Sequence, residues 1–483
     1  MASDKKIGLI TCTGIVAGNM MCSGIALLPA NLSAIGSITL IGWLIALLGA
    51  LGLAWVYAYQ ATTDPQEGGP IAYAGELSKV FGFQTGVLYY HSNWIGNLAC
   101  GITAVAYLSY FFPELQSPRN AGFACIGIVW LLTFVNMLGA KWIGRFTTIG
   151  LIAVLIPVVG TAVAGWFWFD PQTYVANWNE TGKSSWSAVS QSVLLCLWAF
   201  VGVESAAVST HIVRNPRKTI PIATLLGTLI AGVVYIASSQ VVCGMYPAEI
   251  IANSGAPFAI AASTIAGPWA APIVAGCTAF ASLASLASWM MLVSHAGARA
   301  SKDGTFPSIY GEIDRNGIPR KGLVLGSIKM TVMMLVIVAI NWNSSGTAVL
   351  FESITGIAVL LLMLPYFYSG LNLIRKEGAQ QGKAINVVAA VVACSFCLVA
   401  IAGASQMRLA LTLITSLTVL IFYAWRTGLD ASRFASSARS LIQAGDAMRL
   451  PGGALTRVCK EDDRGPWLLE RKKLLKNSLM SMF

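Results

Sequence analysis

Long apolar runs, parted by short polar connections, recur from the first residues to about position 425. A hydrocarbon core of about 30 Å needs roughly 20 helical residues at 1.5 Å each, and most of these runs reach that length. They lack the period-two alternation of a transmembrane β-barrel. Helices are then the way left to satisfy every backbone polar group in lipid. The pattern predicts twelve spans near 7–30, 36–60, 80–112, 121–141, 146–169, 187–211, 219–245, 272–298, 322–341, 348–374, 384–405 and 407–425. The third is longer than a bilayer requires, so part of it tilts or projects.

Composition agrees with a membrane protein. Only 11% of the 483 residues are charged and 56% are hydrophobic, against about 25% charged in soluble domains. The formal charge of +11 does not point to nucleic acid, because the basic residues sit in short loops and a tail rather than along a stripe with stacking aromatics. Their placement gives orientation instead. Sixteen Lys and Arg of the connecting segments, from Lys5 to Lys383, fall on one side, and only Arg119, Lys183 and Arg408 on the other. Both termini are therefore expected in the cytoplasm. The start, MASDKKIGLI, has no small-residue cleavage site and reads as part of a retained first helix. Residues 426–483, rich in Ser, Gly and charge, read as a basic cytoplasmic tail after a twelve-helix membrane domain over 1–425. Several of the ten cysteines lie in apolar segments, which suggests neither a zinc site nor a disulfide framework. No metal and no cofactor are expected. No nucleophile–base pair or phosphate loop suggests an enzyme.

Polar residues inside spans mark the chemistry. The first span is interrupted by Gly18-Asn19-Met20-Met21-Cys22-Ser23-Gly24. Such a break at mid-bilayer faces protein or a water-filled cavity; its freed N–H groups suit a carboxylate, although small residues also serve close helix packing. The sixth span holds Trp198-Ala199-Phe200-Val201-Gly202-Val203-Glu204. A charge there costs at least about 2.5–3.5 kcal/mol on insertion scales, which makes Glu204 a functional candidate, with a structural hydrogen bond as the alternative. Interruptions in spans one and six suit two inverted halves, about 7–169 and 187–374, each opening with a broken helix. Tyr89, Tyr90, Asn93, Trp94 and Asn97 cluster on the third span, Trp289 lies on the eighth, and Tyr366 on the tenth. Aromatic rings there can stack on a cation or simply pack. His91, His211 and His295 form no metal motif.

The stretches KKIGLITCTGIVAGNMM, SGIALLPANL, QEGGPIAYAGE, LLCLWAFVGVESAAVST and TGIAVLLLMLPYFYS, with others between residues 5 and 425, resemble the amino acid–polyamine–organocation transporters. Within them the match is to the basic amino acid/polyamine antiporters. The resemblance implies an all-α integral membrane fold of twelve transmembrane helices, a five-plus-five inverted repeat with broken first and sixth helices and two C-terminal helices. It implies substrate binding by Ser23, Gly24, Asn97, Trp198, Glu204 and Trp289, with gating or coupling by Tyr89, Tyr90, Glu204 and Tyr366. Asn19, Cys22, Asn93, Gly202, Tyr73, Tyr235 and Ala358 are further candidates. Ala358 stands where arginine-exchanging relatives carry a Ser, which suits an ammonium substrate. Cys22 replaces a glycine of the family, and Ala287, Ser294, His211 and His295 also depart from it. The implied activity is exchange of external lysine for internal cadaverine across the inner membrane, coupled to a cytoplasmic lysine decarboxylase, by a chain that forms a homodimer. Ornithine/putrescine or arginine/agmatine exchange, a lysine-binding membrane sensor and a non-transporting homologue are the alternatives.

Overall fold

The structure, a computed structural model, describes residues 8–21, 24–63, 69–138, 143–204, 213–302, 304–344, 346–380 and 383–447. All extended regular structure among them is helical. The elements are α1 (Leu9–Met21), α2 (Leu28–Ser33), α3 (Thr39–Thr63), α4 (Pro70–Leu77), α5 (Lys79–Leu108), α6 (Pro118–Leu138), α7 (Ile143–Ala164), α8 (Pro171–Ala176), α9 (Ser185–Trp198), α10 (Pro216–Met245), α11 (Ala248–Ala252), α12 (Pro257–Ala266), α13 (Ala270–Lys302), α14 (Arg320–Ile340), α15 (Ala348–Gln380), α16 (Ala384–Ala402) and α17 (Gln406–Ala447).

Eight helices among the described residues are long and apolar enough to cross a membrane: α3, α6, α10, α13, α14, α15, α16 and the Gln406–Thr427 part of α17. The other four expected spans also fall on helices. The first is split between α1 and α2, and α9 stops after 14 residues. The 30-residue α5 carries buried Gln84, Thr85, Ser92 and Asn97. Helix α7 is 22 residues long, and its apolar run from Ile152 continues to Trp168. Broken and polar helices are the ones expected to line a hydrated path, because freed or polar groups need a partner other than lipid.

Local chemistry sets the boundaries. Ser78 caps α5 by accepting from the Val80 amide at 3.3 Å. Ser184 caps α9 through the Ser187 amide at 3.4 Å. Proline opens α4, α10 and α12 at a position where its missing N–H is not needed. Large apolar side chains stand exposed along α6 (Leu131, Phe134, Leu138), α14 (Val332, Val336, Ile340) and α16 (Val388, Val391). Such faces suit lipid and not water. The interior is built on α5, which packs most extensively against α13 and α15, while α3 packs on α10 and α16.

The chain divides into two compact units, residues 1–420 and 421–483. The described part of the second is helical to Ala447, with the rings of Phe422 and Trp425 5.7 Å apart. The expected tail begins inside that helix, and its residues 448–483 lie outside the described ones. Cys394 and Cys397 stand in a C-x-x-C spacing on α16 that a reading for disulfides and zinc passes over; both are free thiols.

Candidate functional site

Two interruptions of helix meet in the interior. Helix α1 ends at Met21, Gly24–Leu27 form a turn, and α2 resumes at Leu28. A side chain at Gly24 would touch the Met20 carbonyl at 3.4 Å, Ala199 Cα at 3.5 Å and Trp198 Nε1 at 3.7 Å. The first interruption is thus pressed against the end of α9. Beyond Trp198 the chain turns, with amides of Phe200, Val201 and Val203 bonding three residues back. Gly202 then adopts φ +100°, a conformation L side chains rarely take. Glu204 lies on this turn and is 2% exposed.

A cavity is lined by Met20, Gly24, Ser92, Asn93, Gly96, Asn97, Cys100, Trp198, Val201 and Trp289. Its α5 wall is one face of a helix, since 92, 96 and 100 and likewise 93 and 97 recur every fourth residue. Gly96 makes room for the indole of Trp198: a Cβ there would lie 2.9 Å from Cη2. That indole meets Phe351 edge-on at 6.4 Å, and its buried Nε1 has no hydrogen-bond acceptor among the described residues. A buried donor without an acceptor costs free energy until a ligand or water supplies one.

One helical turn from Asn93 the wall reaches a buried acid. Asn93 Nδ2 donates to the Tyr89 carbonyl at 2.7 Å, and the Tyr89 hydroxyl donates to Glu204 Oε1 at 2.7 Å. Tyr366 donates to Glu204 Oε2 at 3.0 Å. Both carboxyl oxygens are thereby held by phenols from α5 and α15. Behind Tyr366, whose ring stands edge-on to Tyr57 at 5.8 Å, a polar seam follows. Tyr57 donates to Ser369 Oγ (3.2 Å) and Gln60 to the Ser369 carbonyl (3.1 Å). Asn372 donates to Gln60 (2.9 Å) and Glu76 (2.6 Å), and Glu76 pairs with Lys376 at 2.7 Å.

The structure thus brings Gly24, Asn93, Asn97, Trp198 and Trp289 to the cavity, and Tyr89, Glu204 and Tyr366 to one cluster beside it. Gly202 acts through its backbone turn. Tyr90 faces away, toward a second cavity that shares Asn97 with the first. Tyr73 packs on Tyr57, ring centroids 6.3 Å apart, and Tyr235 on Trp43 at 5.6 Å; neither lines the cavity. Ala358 is fully buried, and its carbonyl accepts from the cavity residue Ser92 at 2.7 Å. Cys22, Ser23 and His211 lie outside the described residues, as does the side chain of Asn19. Ser92, Gly96, Cys100 and Val201 were not foreseen, although the fourfold spacing on α5 carries the signal for three of them. Lys329, a cation inside the apolar α14, was also passed over.

A family model described as amino acid permease matches residues 7–425. The chain belongs to the amino acid permease family. The cadaverine/lysine antiporter of Escherichia coli strain K12 is 62% identical to this permease over 424 residues, 88% of this chain and 96% of that protein. The putrescine transporter PotE of the same strain is 34% identical over 369 residues, 76% of this chain and 83% of that protein. PotE of Haemophilus influenzae is 32% identical over 369 residues, 76% and 84% of the two chains. The permease is a multi-pass membrane transporter and not an enzyme.

Proposed function

We propose that this permease exchanges external lysine for internal cadaverine by alternating access. The observation that carries the reading is a cavity with two tryptophans, one with an indole N–H that has no acceptor among the described residues, beside one buried carboxyl held by two phenols. The 62% identity to an antiporter named for these two substrates supports it. The α-carboxylate of lysine meets backbone N–H groups at the first interruption, around Ser23 and Gly24, and its alkyl chain lies across Trp198 and Trp289. Cadaverine lacks the carboxylate and carries a second ammonium. Glu204 reconciles the two shapes by changing partner or protonation as the site turns over.

The same proposal includes the frame. Twelve helices span the inner membrane as two inverted halves, about 7–169 and 187–374, plus two C-terminal helices, with both termini cytoplasmic and a homodimer as the assembly. Lysine enters as a monocation and cadaverine leaves as a dication, so each cycle exports one positive charge. A cytoplasmic lysine decarboxylase, consuming a proton per lysine, completes the route to acid resistance. Ornithine/putrescine exchange is the second reading, favoured by the similarity to putrescine transporters at 34% identity.

Counterflow tests the proposal. Proteoliposomes loaded with cadaverine should take up labelled lysine, and empty or arginine-loaded vesicles should not. Uptake only against putrescine moves the assignment to the second reading. No uptake with any load, from folded protein, leaves a sensor or inactive homologue.

A further inference from the structure

Helix α14 carries a single charge between Lys321 and its end at Ile340, and that charge is Lys329. An ammonium inside a membrane-spanning helix is expensive and faces a partner. Among the described residues no carboxylate lies within ion-pair distance of it. Ring faces take that place. Lys329 Nζ lies 4.4 Å from the ring centroid of Tyr90, 5.1 Å from Tyr310 and 5.5 Å from Trp94, and donates to the Tyr90 hydroxyl at 3.2 Å. Aromatic faces in this arrangement are a recognised way to hold a desolvated cation. Gly297 permits the cage, because a Cβ there would stand 3.0 Å from Tyr90 and 3.4 Å from Tyr310. Tyr90 and Trp94 also line a second cavity, which shares the lining residue Asn97 with the Trp198 cavity.

We propose that the Tyr90–Trp94–Tyr310 cage is a second alkylammonium site, filled in this conformation by the permease's own Lys329 and taken during exchange by the terminal ammonium of the diamine or basic amino acid. The lysine side chain is the same group that a lysine substrate presents, and one end of cadaverine differs little from it. The fit of the cage to that group is therefore visible in the molecule itself. Ring faces and one hydroxyl form an exchangeable set of partners, unlike a buried ion pair. Lys329 acts as a tethered competitor, and an arriving ammonium must displace it. The substrate identity rests on the exchange reading above; the cage itself does not.

Three full-chain variants in proteoliposomes test this: Lys329→Met, Lys329→Ala and Lys329→Arg. With the competitor gone, the KM for cadaverine should fall at least about fivefold in Lys329→Met and Lys329→Ala and stay near the original in Lys329→Arg. An unchanged KM, or a raised KM in folded protein, overturns the proposal and leaves Lys329 a structural latch. Should neither neutral variant fold, reductive methylation of the unmodified permease decides, in pulses short enough that most of the diamine stays unmodified. Lys329 should label faster when cadaverine is saturating, and unchanged or slower labelling overturns the idea. If the unmodified permease exchanges neither lysine nor cadaverine, calorimetry with n-pentylammonium separates the two readings. Binding at least about fivefold tighter to Lys329→Ala than to the unmodified chain keeps the cage while the substrate assignment falls. Equal or absent binding removes the cage.

Discussion

The Tyr89 hydroxyl donates to Glu204 Oε1 at 2.7 Å, joining α5 to a turn 115 positions away in sequence. The contact is made one helical turn from the cavity residue Asn93, so the state of the carboxyl and the position of the α5 wall are linked. Removing one hydrogen bond to a buried charged group costs about 1.5–3 kcal/mol. Tyr89→Phe and Tyr366→Phe should each slow lysine–cadaverine counterflow about tenfold or more. The double variant should lose less than the product of the two, because both act on one carboxyl. Glu204→Gln should abolish exchange; a rate near that of the unmodified permease would rule out the coupling role.

The close fit of Gly96 to Trp198 gives a second test. A methyl group 2.9 Å from Cη2 moves the indole off Phe351 and away from Gly24. Overpacking of this kind costs about 1–3 kcal/mol. Gly96→Ala should raise the KM for lysine about threefold to tenfold while the protein still elutes as a single folded species. An unchanged KM would show that the indole does not touch substrate.

A third concerns Arg408, which pairs with Glu352 at 2.6 Å across α17 and α15. A Cβ on Gly356 would lie 2.7 Å from Arg408 Nη1, at the flexible end of that side chain. Gly356→Ala should break the pair with little other disturbance. Both partners are partly exposed, so the loss should be under about 1 kcal/mol. In thermal melts the effect should vanish in an Arg408→Ala background.

The loop before α14 supplies a pH test. The Ile318 amide, with the Arg320 guanidinium and the Asn316 amide, holds the Asp314 carboxyl below the usual aspartate range. A group with a lowered folded value stabilises above its unfolded value of about 3.9, and that stabilisation is lost as pH falls through the folded one. Melting temperatures measured from pH 6 down to pH 3 should decline less steeply in Asp314→Asn than in the unmodified permease. Parallel curves would place the acid sensitivity elsewhere.

Much of the candidate site is legible in single residues. Glu204, Asn97 and the Gly24 interruption each conflict with a lipid-buried helix, and that conflict is visible without coordinates. Tyr235 and Ala358 were harder, because aromatic and small residues serve packing and binding equally well; the structure buries both away from the cavity lining. Tertiary pairing was not legible at all. That Gly96 serves Trp198, or that Ser92 bonds the Ala358 carbonyl, depends on how α5 turns against α9 and α15. Lys329 is legible as the one charge inside the apolar span 322–341, where a tally of loop charges does not reach.

The polar seam from Tyr57 and Ser369 through Gln60, Asn372, Glu76 and Lys376 ties α3 and α4 to α15. Its rungs come from several levels along α15, so a slide of one helix past another breaks them together. A seam of this kind makes shear costly and favours rotation of the three helices as one rigid body. Amide hydrogen exchange would register these three helices as one slow, cooperative block.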